Sequence, residues 1–361
     1  IFKILAGLHV KALIILFNSS PPCGPCSMEN ISLLGCGTWG SALAQILTKA
    51  GHHVTAWHYK PDVVSYIDQA RKHPRLENFR FHPKIIFNSS LTETLEGSDC
   101  IVIAVPSHCV RDIMKKTANF APKDAIIVNL AKGIENDTLK TMSQVIKEVT
   151  KTDESQIVSL YGPSHAEEVI AGYPTTLVSA SIEKSSANYV QKVFSSNMIR
   201  VYTNNDIYGV ELGGSLKNVI AIAAGICDGL GFGDNTKAAL LTRGIAEITR
   251  LGVAMGANST TFNGLSGIGD LIATCLSKHS RNRYVGEEIA KGNKLSDILD
   301  KMDMVAEGVK TTRSVYDLSK KYDVEMPISN GIYHVLFKEN DPKTIVSKLM
   351  TRDLKHESLN L

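Results

Sequence analysis

The sequence predicts an α/β protein in two parts: an N-terminal doubly wound parallel sheet over residues 28–204, and an all-α C-terminal domain over 205–361. Three observations carry this. A glycine-rich turn, Gly35-Cys36-Gly37-Thr38-Trp39-Gly40, joins a short apolar strand to a helix of small residues. From residue 30 to about 204, strand and helix patterns alternate, as crossovers between parallel strands require. After Asn205 the strand signal fades and helical periodicity takes over.

The elements follow in order. Residues 31–34 (ISLL) read as the first strand and 41–47 (SALAQIL) as the helix behind the turn. In this Rossmann-type register Gly35 permits the tight turn, Gly37 lets backbone approach a pyrophosphate, and Gly40 lets helix and strand pack closely. The helix N-terminus adds N–H donors and the positive end of a dipole. Dinucleotide binding is therefore expected. Residues 54–57 are a second strand, and SLTE at 90–93 is a capping-box pattern opening a short helix. Continuous apolar runs at 99–105 (DCIVIAV) and 125–130 (AIIVNL) read as strands buried on both faces. Further strands are expected at 157–160, 175–179 and 199–202, with helices at 138–150 and 186–194. In the second half, 208–227, 237–255, 265–276, 282–291 and 309–322 read as helices. Such a pairing places a cleft between sheet and helices, at the carboxyl ends of the strands.

Length and composition set bounds. A chain of 361 residues can hold two or three domains. The net charge is only +3 and the basic residues are scattered, so no nucleic-acid partner is expected. No stretch approaches the roughly 20 apolar residues of a membrane span, and no stable membrane insertion is expected. Residues 1–27 read as a non-functional extension or a misplaced start, with a cleaved signal or targeting peptide as the alternative. They contain Cys23-Gly24-Pro25-Cys26, a thiol–disulfide motif by sequence. It follows two prolines in a tail, without the strand–helix junction that stabilises a thiolate. Cys36, Cys100, Cys109, Cys227 and Cys275 have no metal-ligand spacing and read as reduced core residues of a cytoplasmic protein. His108 and His165 have no metal-like partners, so no metal site is expected.

Some charges stand where charge is expensive. Between Leu212 and Ala224, Lys217 and Asn218 are the only strongly polar side chains. A buried lysine costs several kcal/mol unless paired, and desolvation lowers its pKa into the range useful for general acid–base work. The alternative is a lysine that snorkels out of one helix face. Asp270 lies in a similar run, 265–275, where an N-cap is the alternative. Lys132 follows the strand ending at Leu130, at a carboxyl end where active-site groups gather; a solvated loop lysine is the alternative. Ser280-Arg281-Asn282-Arg283 opens a helix and offers an arginine fork plus an amide to a phosphate or carboxylate. Ser164 follows a strand as an N-cap or a ligand contact.

In this order the pieces resemble the bacterial-type NAD(P)-dependent sn-glycerol-3-phosphate dehydrogenases. The motifs are GCGTWG at 35–40, VPSH at 105–108, AKGIE at 131–135 and YGPSHAEE at 161–168. They continue with GVELGGSLKNVIAIAAGICDGLGFGDN at 209–235, LTRGIAEITRLG at 241–252, GLSGIGDLIATC at 264–275, SRNRYVG at 280–286, VAEGVKT at 305–311 and MPI at 326–328. The resemblance implies that Lys217 is the proton acceptor and that Lys132 touches both cofactor and substrate. It implies substrate contacts for Gly162, Ser164, Asn218, Asp270, Thr274, Ser280, Arg281 and Asn282. It gives cofactor contacts to Thr38, Trp39, Ala166, Arg281, Val305 and Glu307 beside the three glycines. Where many members carry arginine or histidine after the second strand, this chain has Tyr59, between His58 and Lys60. No acid ends that strand to hold a ribose 2′-hydroxyl. Tyr59 suits stacking on adenine and Lys60 a 2′-phosphate, so NAD and NADP both remain open. The implied reaction is reversible hydride transfer between NAD(P)H and dihydroxyacetone phosphate, a phosphorylated small molecule, serving phospholipid synthesis. Rival readings are a 6-phosphogluconate- or ketopantoate-type dehydrogenase and a non-catalytic nicotinamide sensor. The oligomer is open, a homodimer being one arrangement compatible with the chain.

Overall fold

The computed structural model describes residues 27–354 together with 356 and 357. The expected extension, with its Cys23–Cys26 motif, lies outside the described residues apart from Ser27. The glycine turn joins β1 (Asn30–Leu34) to α1 (Thr38–Lys49), and the chain returns as β2 (His53–Trp57). Then come α2 (Pro61–Ala70), β3 (Ile86–Asn88), α3 (Leu91–Leu95), β4 (Cys100–Ile103), α4 (Val110–Thr117) and β5 (Ile126–Asn129). The half closes with α5 (Met142–Thr150), β6 (Ile157–Tyr161), α6 (Ala166–Ile170), β7 (Thr175–Ala180), α7 (Lys184–Phe194) and β8 (Ile199–Asn204).

Among the described residues these strands form one eight-stranded sheet in the order β3-β2-β1-β4-β5-β6-β7-β8. The order reverses between β1 and β4, which opens a crevice at their carboxyl ends. One pairing departs from the parallel sheet expected from the sequence: β7 runs antiparallel to β6, with Leu160 opposite Ser179. A buried strand reads as the same apolar run in either direction. Leu33, Val102, Val128 and Val158 are buried in the core beneath α1.

The second half is helical. It comprises α8 (Ile207–Gly229), α9 (Asp234–Ala254), α10 (Asp270–Leu276), α11 (Arg281–Ala290), α12 (Leu295–Asp300), α13 (Glu307–Lys321), α14 (Pro327–Lys338) and α15 (Pro342–Met350). The sequence reading missed α2, α14 and α15, although each carries a proline at its first turn, a legible start signal. It also missed the short α4, α6 and α12. Helix α8 corrects the expectation that no stretch is long and apolar enough for a membrane. It runs 23 residues and holds an 18-residue window of mean hydropathy 1.4, wholly buried inside the fold. It is apolar on all sides because α9, α10, α11 and α13 surround it. Asp206 caps its start, accepting from the Gly209 amide at 2.9 Å.

The expected helix over 265–276 is broken. Residues Leu265–Gly269 form a wide π-type turn in which Gly267 leaves helical geometry, and α10 begins only at Asp270. The turn lies against α8 at Gly213, where a Cβ would stand 2.8 Å from the Ser266 carbonyl oxygen. Gly213 lies one helical turn before Lys217, so this close approach brings Asp270 alongside the lysine. Gly213→Ala should therefore destabilise the fold by about 1–3 kcal/mol through overpacking. Urea unfolding measures it; unchanged stability would mean that the turn moves freely on α8.

Candidate functional site

The glycine turn has the form its roles require. Gly35 has φ +118° and its amide donates to the Trp57 carbonyl at 3.0 Å. A side chain at Gly40 would strike the Gly35 carbonyl, whereas nothing lies within 4 Å of the position a Cβ would take at Gly37. That open ground adjoins the first turn of α1, whose leading N–H groups have no intrahelical acceptor. A pyrophosphate fits there, and Gly37, Thr38, Trp39 and Gly40 line the cleft that runs from it. The cleft encloses about 460 Å³. Loops after β1, β4, β5 and β6 form one wall, and α8, α10, α11 and the segment before α13 form the other.

At its floor two lysines meet one carboxylate. Lys217 is 5% exposed and Asp270 2%. Lys217 Nζ donates to Asp270 Oδ1 at 2.6 Å and to the Thr274 hydroxyl. From the opposite wall, Lys132 Nζ donates to Asp270 Oδ2 at 2.7 Å, to the Gly162 carbonyl at 2.8 Å and to Ser164 Oγ at 3.3 Å. Lys217 therefore does not snorkel to solvent, Lys132 is not a solvated loop lysine, and Asp270 spends its oxygens on the lysines rather than on a cap. Burial lowers the Lys217 pKa to about 8; Asp270 opposes the shift and the neighbouring Lys132 reinforces it. Burial would raise the Asp270 carboxyl, but the two ammonium groups hold it below the usual carboxylate range. Cys275 beside them is a buried thiol pushed up to about 12 by desolvation.

The SRNR element divides. Arg281 faces the cleft and donates to the Val305 carbonyl at 2.7 Å. Arg283 turns away to Asp228 at 2.5 Å, so the expected arginine fork is a single arginine. Ser280 lines the cleft and caps α11, accepting from the Arg283 amide at 3.2 Å. Asn282 accepts from the Gly308 amide at 2.9 Å and donates to Asn218 Oδ1 at 3.0 Å, which leaves the Asn218 NH₂ to face the cleft. Glu307 reaches across to the other half, taking the Ser107 amide at 2.9 Å and its hydroxyl at 2.5 Å.

Most residues singled out from the sequence thus converge on one cleft. Gly35 and Gly162 shape it from behind. Ala166 is buried at the start of α6 against Ala42 of α1, outside the lining. Tyr59 lines the far end and is 65% exposed, with Lys60 Nζ 5.6 Å from its ring centre. Lys60 itself does not line the cleft; Arg75 and His58 do. The reading missed Arg75, which sits in a loop with no motif to mark it. It quoted His165 without a role and passed over His279. Both line the cleft with ring centres 6.3 Å apart. Burial lowers the His165 pKa, and the nearby Lys217 adds to this. Among the described residues no cluster of His, Cys, Asp and Glu is arranged to hold a metal.

Comparison with known proteins agrees across the chain. Residues 30–187 match the family described as NAD-dependent glycerol-3-phosphate dehydrogenase N-terminus, and residues 206–347 its C-terminus. A glycerol-3-phosphate dehydrogenase [NAD(P)+] of Salinibacter ruber is 49% identical over 333 residues, which is 92% of this chain and 98% of that protein. One from a Thermoanaerobacter species is 51% identical over 327 residues, 91% of this chain and 98% of that protein. The crystal structure of glycerol-3-phosphate dehydrogenase from Coxiella burnetii superposes with a TM-score of 0.86 at 33% identity, covering 90% of this chain and 99% of that one. Site and likeness together identify an oxidoreductase that uses a nicotinamide dinucleotide: the chain belongs to the NAD(P)-dependent glycerol-3-phosphate dehydrogenase family.

Proposed function

We propose that this chain interconverts dihydroxyacetone phosphate and sn-glycerol 3-phosphate with Lys217 as the general acid and base. The carrying observation is the buried Lys217–Asp270–Lys132 cluster at the floor of a cleft that begins at a dinucleotide-type turn. In this reading the sheet half, up to residue 204, carries the glycine turn for the cofactor, the helical half, from 205, carries most substrate contacts, and both ligands touch both halves across the cleft. When bound, the nicotinamide cofactor, NAD or NADP, supplies or accepts the hydride. Gly35, Gly37, Gly40, Thr38 and Trp39 would hold its pyrophosphate side, with Tyr59 at the adenine end and Lys132, Arg281, Val305 and Glu307 along its length, while Ala166 would only back the turn helix through Ala42.

In the reducing direction the Lys217 ammonium gives a proton to the forming alkoxide oxygen and becomes an amine. In the oxidising direction the amine takes the hydroxyl proton. Burial lowers the Lys217 pKa to about 8, which brings the amine form within reach near neutral pH and lets one lysine serve both directions. Lys132 stabilises the oxyanion as a second cation beside Lys217. Asp270 and Thr274 hold the Lys217 ammonium in line. Two ammonium groups against one carboxylate leave a net positive charge, which the dianionic phosphate complements. Arg281, Asn218, Asn282 and Ser280 take the phosphate end, with Gly162 and Ser164 on the opposite wall, and this remote binding aligns the carbonyl. In the cell we place the reaction in the cytoplasm as a source of glycerol phosphate for phospholipid synthesis, with a homodimer as the working assembly.

Two expectations test this. Lys217→Met keeps the apolar stem and should lower turnover about 100- to 10,000-fold. NADH affinity and melting temperature should hold, because Asp270 keeps Lys132 as its partner. Retained turnover would remove Lys217 from the chemistry. Unphosphorylated dihydroxyacetone should be a far poorer substrate than its phosphate when NADH absorbance is followed. Comparable efficiency with both would refute a phosphate-anchored site.

A further inference from the structure

Beneath the lysines lies a second buried carboxylate that the reaction does not use. Glu211 is 0% exposed and sits on α8, six positions before Lys217. Among the described residues its donors come from Asn129, Thr141, Ser143 and Ser159, and no salt bridge reaches it. The Ser143 amide gives 2.9 Å and Ser159 Oγ 2.8 Å to Oε1, Asn129 Nδ2 gives 3.1 Å to the same oxygen, and Ser143 Oγ gives 2.6 Å to Oε2. Ser143 lies in the first turn of α5, where a helix N-terminus favours a negative charge. Burial raises the Glu211 pKa, and these donors act against the rise.

The network leads to Lys132. Asn129 ends β5, and its amide orientation is fixed because its NH₂ must face Glu211. Its oxygen therefore faces the other way and accepts from the Ala131 amide at 3.0 Å. The Tyr161 hydroxyl donates to the Ala131 carbonyl and accepts from Asn129 Nδ2 at 3.0 Å. Both backbone groups of the residue before Lys132 are thus held. Tyr161 has room against α8 because Gly214 lacks a side chain. Lys132 Nζ then lies 5.7 Å from the centre of the Tyr161 ring.

We propose that Glu211 is a positioning residue: through Asn129 and Tyr161 it fixes the Lys132 loop of the sheet in register with the Lys217 helix. Lys217 reaches Asp270 from α8 and Lys132 reaches it from the β5 loop. Their common target demands that helix and loop keep a fixed separation, and Glu211 is the side chain of α8 that bonds to the end of β5. This rests on the assignment of Lys217 and Lys132 above. Gln at 211 can keep every contact, with its oxygen on the three Oε1 donors and its NH₂ given to the Ser143 hydroxyl. Ala keeps none.

The test compares Glu211→Ala, Glu211→Gln, Tyr161→Phe and Lys217→Met. For Glu211→Ala, misplacement of a reacting group should lower kcat by about 10- to 100-fold. The Kd for NADH, read by fluorescence below the melting transition, should rise by less than kcat falls, because the glycine turn is untouched and only the Lys132 contact shifts. In glycerol 3-phosphate oxidation the acidic limb of the pH profile should move to higher pH. The groups around Lys217 are Asp270, Lys132, Thr274, Cys275 and His165, and displacement of Lys132 removes a charge that lowers its pKa. Glu211→Gln should restore both kcat and the limb. If Glu211→Ala does not fold, Tyr161→Phe cuts only the last link and should lower kcat and move the limb in the same direction. A wild-type kcat and limb in Glu211→Ala, equal losses in Ala and Gln, or an unmoved limb in Tyr161→Phe would each overturn the positioning role. If instead Lys217→Met keeps its turnover, the assignment of the lysines fails first, whatever Glu211 does.

Discussion

Asp270 is the point on which the site depends. Each of its oxygens takes one ammonium group, Lys217 from α8 at 2.6 Å and Lys132 from the loop after β5 at 2.7 Å. One aspartate thereby joins the helical half to the sheet half, with Asp270 and Lys217 buried and Lys132 partly exposed. Burying these charges is expensive, and loss of one partner from such a pair typically costs about 3–5 kcal/mol because the other is left unneutralised. Here the carboxylate has a spare cation, so either lysine can act without leaving Asp270 unpaired. The local backbone serves the same end: the π-type turn at 265–269 and the bare surface of Gly213 bring the carboxylate to its partners.

The consequence is a cleft with two ammonium groups against one carboxylate on its floor and a glycine turn with open space beside its backbone at its head. That charge balance suits a phosphorylated ketone and a dinucleotide in one groove. The same balance keeps a lysine near neutrality in pKa, because burial and a like charge outweigh the attraction of Asp270. Other polar bridges hold the two halves at this separation. Glu307 binds Ser107 across the cleft, and Glu211 binds the ends of β5 and α5 behind it.

Much of this was legible in the sequence, for physical reasons. The glycine turn is local, and its three positions have the backbone surroundings that their spacing implies. Lys217 stood out because a charge in an apolar helix is costly, and it is buried as that cost suggested. The pairing of Lys132 with Asp270 was not legible, since 138 positions separate them and no local pattern encodes the contact. Arg283 looked like part of a phosphate fork, yet its partner Asp228 lies on a different helix. Glu211 could have been found: it precedes the apolar run by one residue, and the argument applied to Lys217 applies to it equally. The reversed strand β7 and the short helices had no signal that distinguished direction or length.

The central claim is that a buried lysine works here with a depressed pKa. Titrating the Lys217 ammonium by nitrogen NMR, with the resonance assigned against the Lys217→Met spectrum, tests it without recourse to activity. A midpoint of about 8 is the result this account predicts. A midpoint at the ordinary lysine value of 10.5 would contradict it.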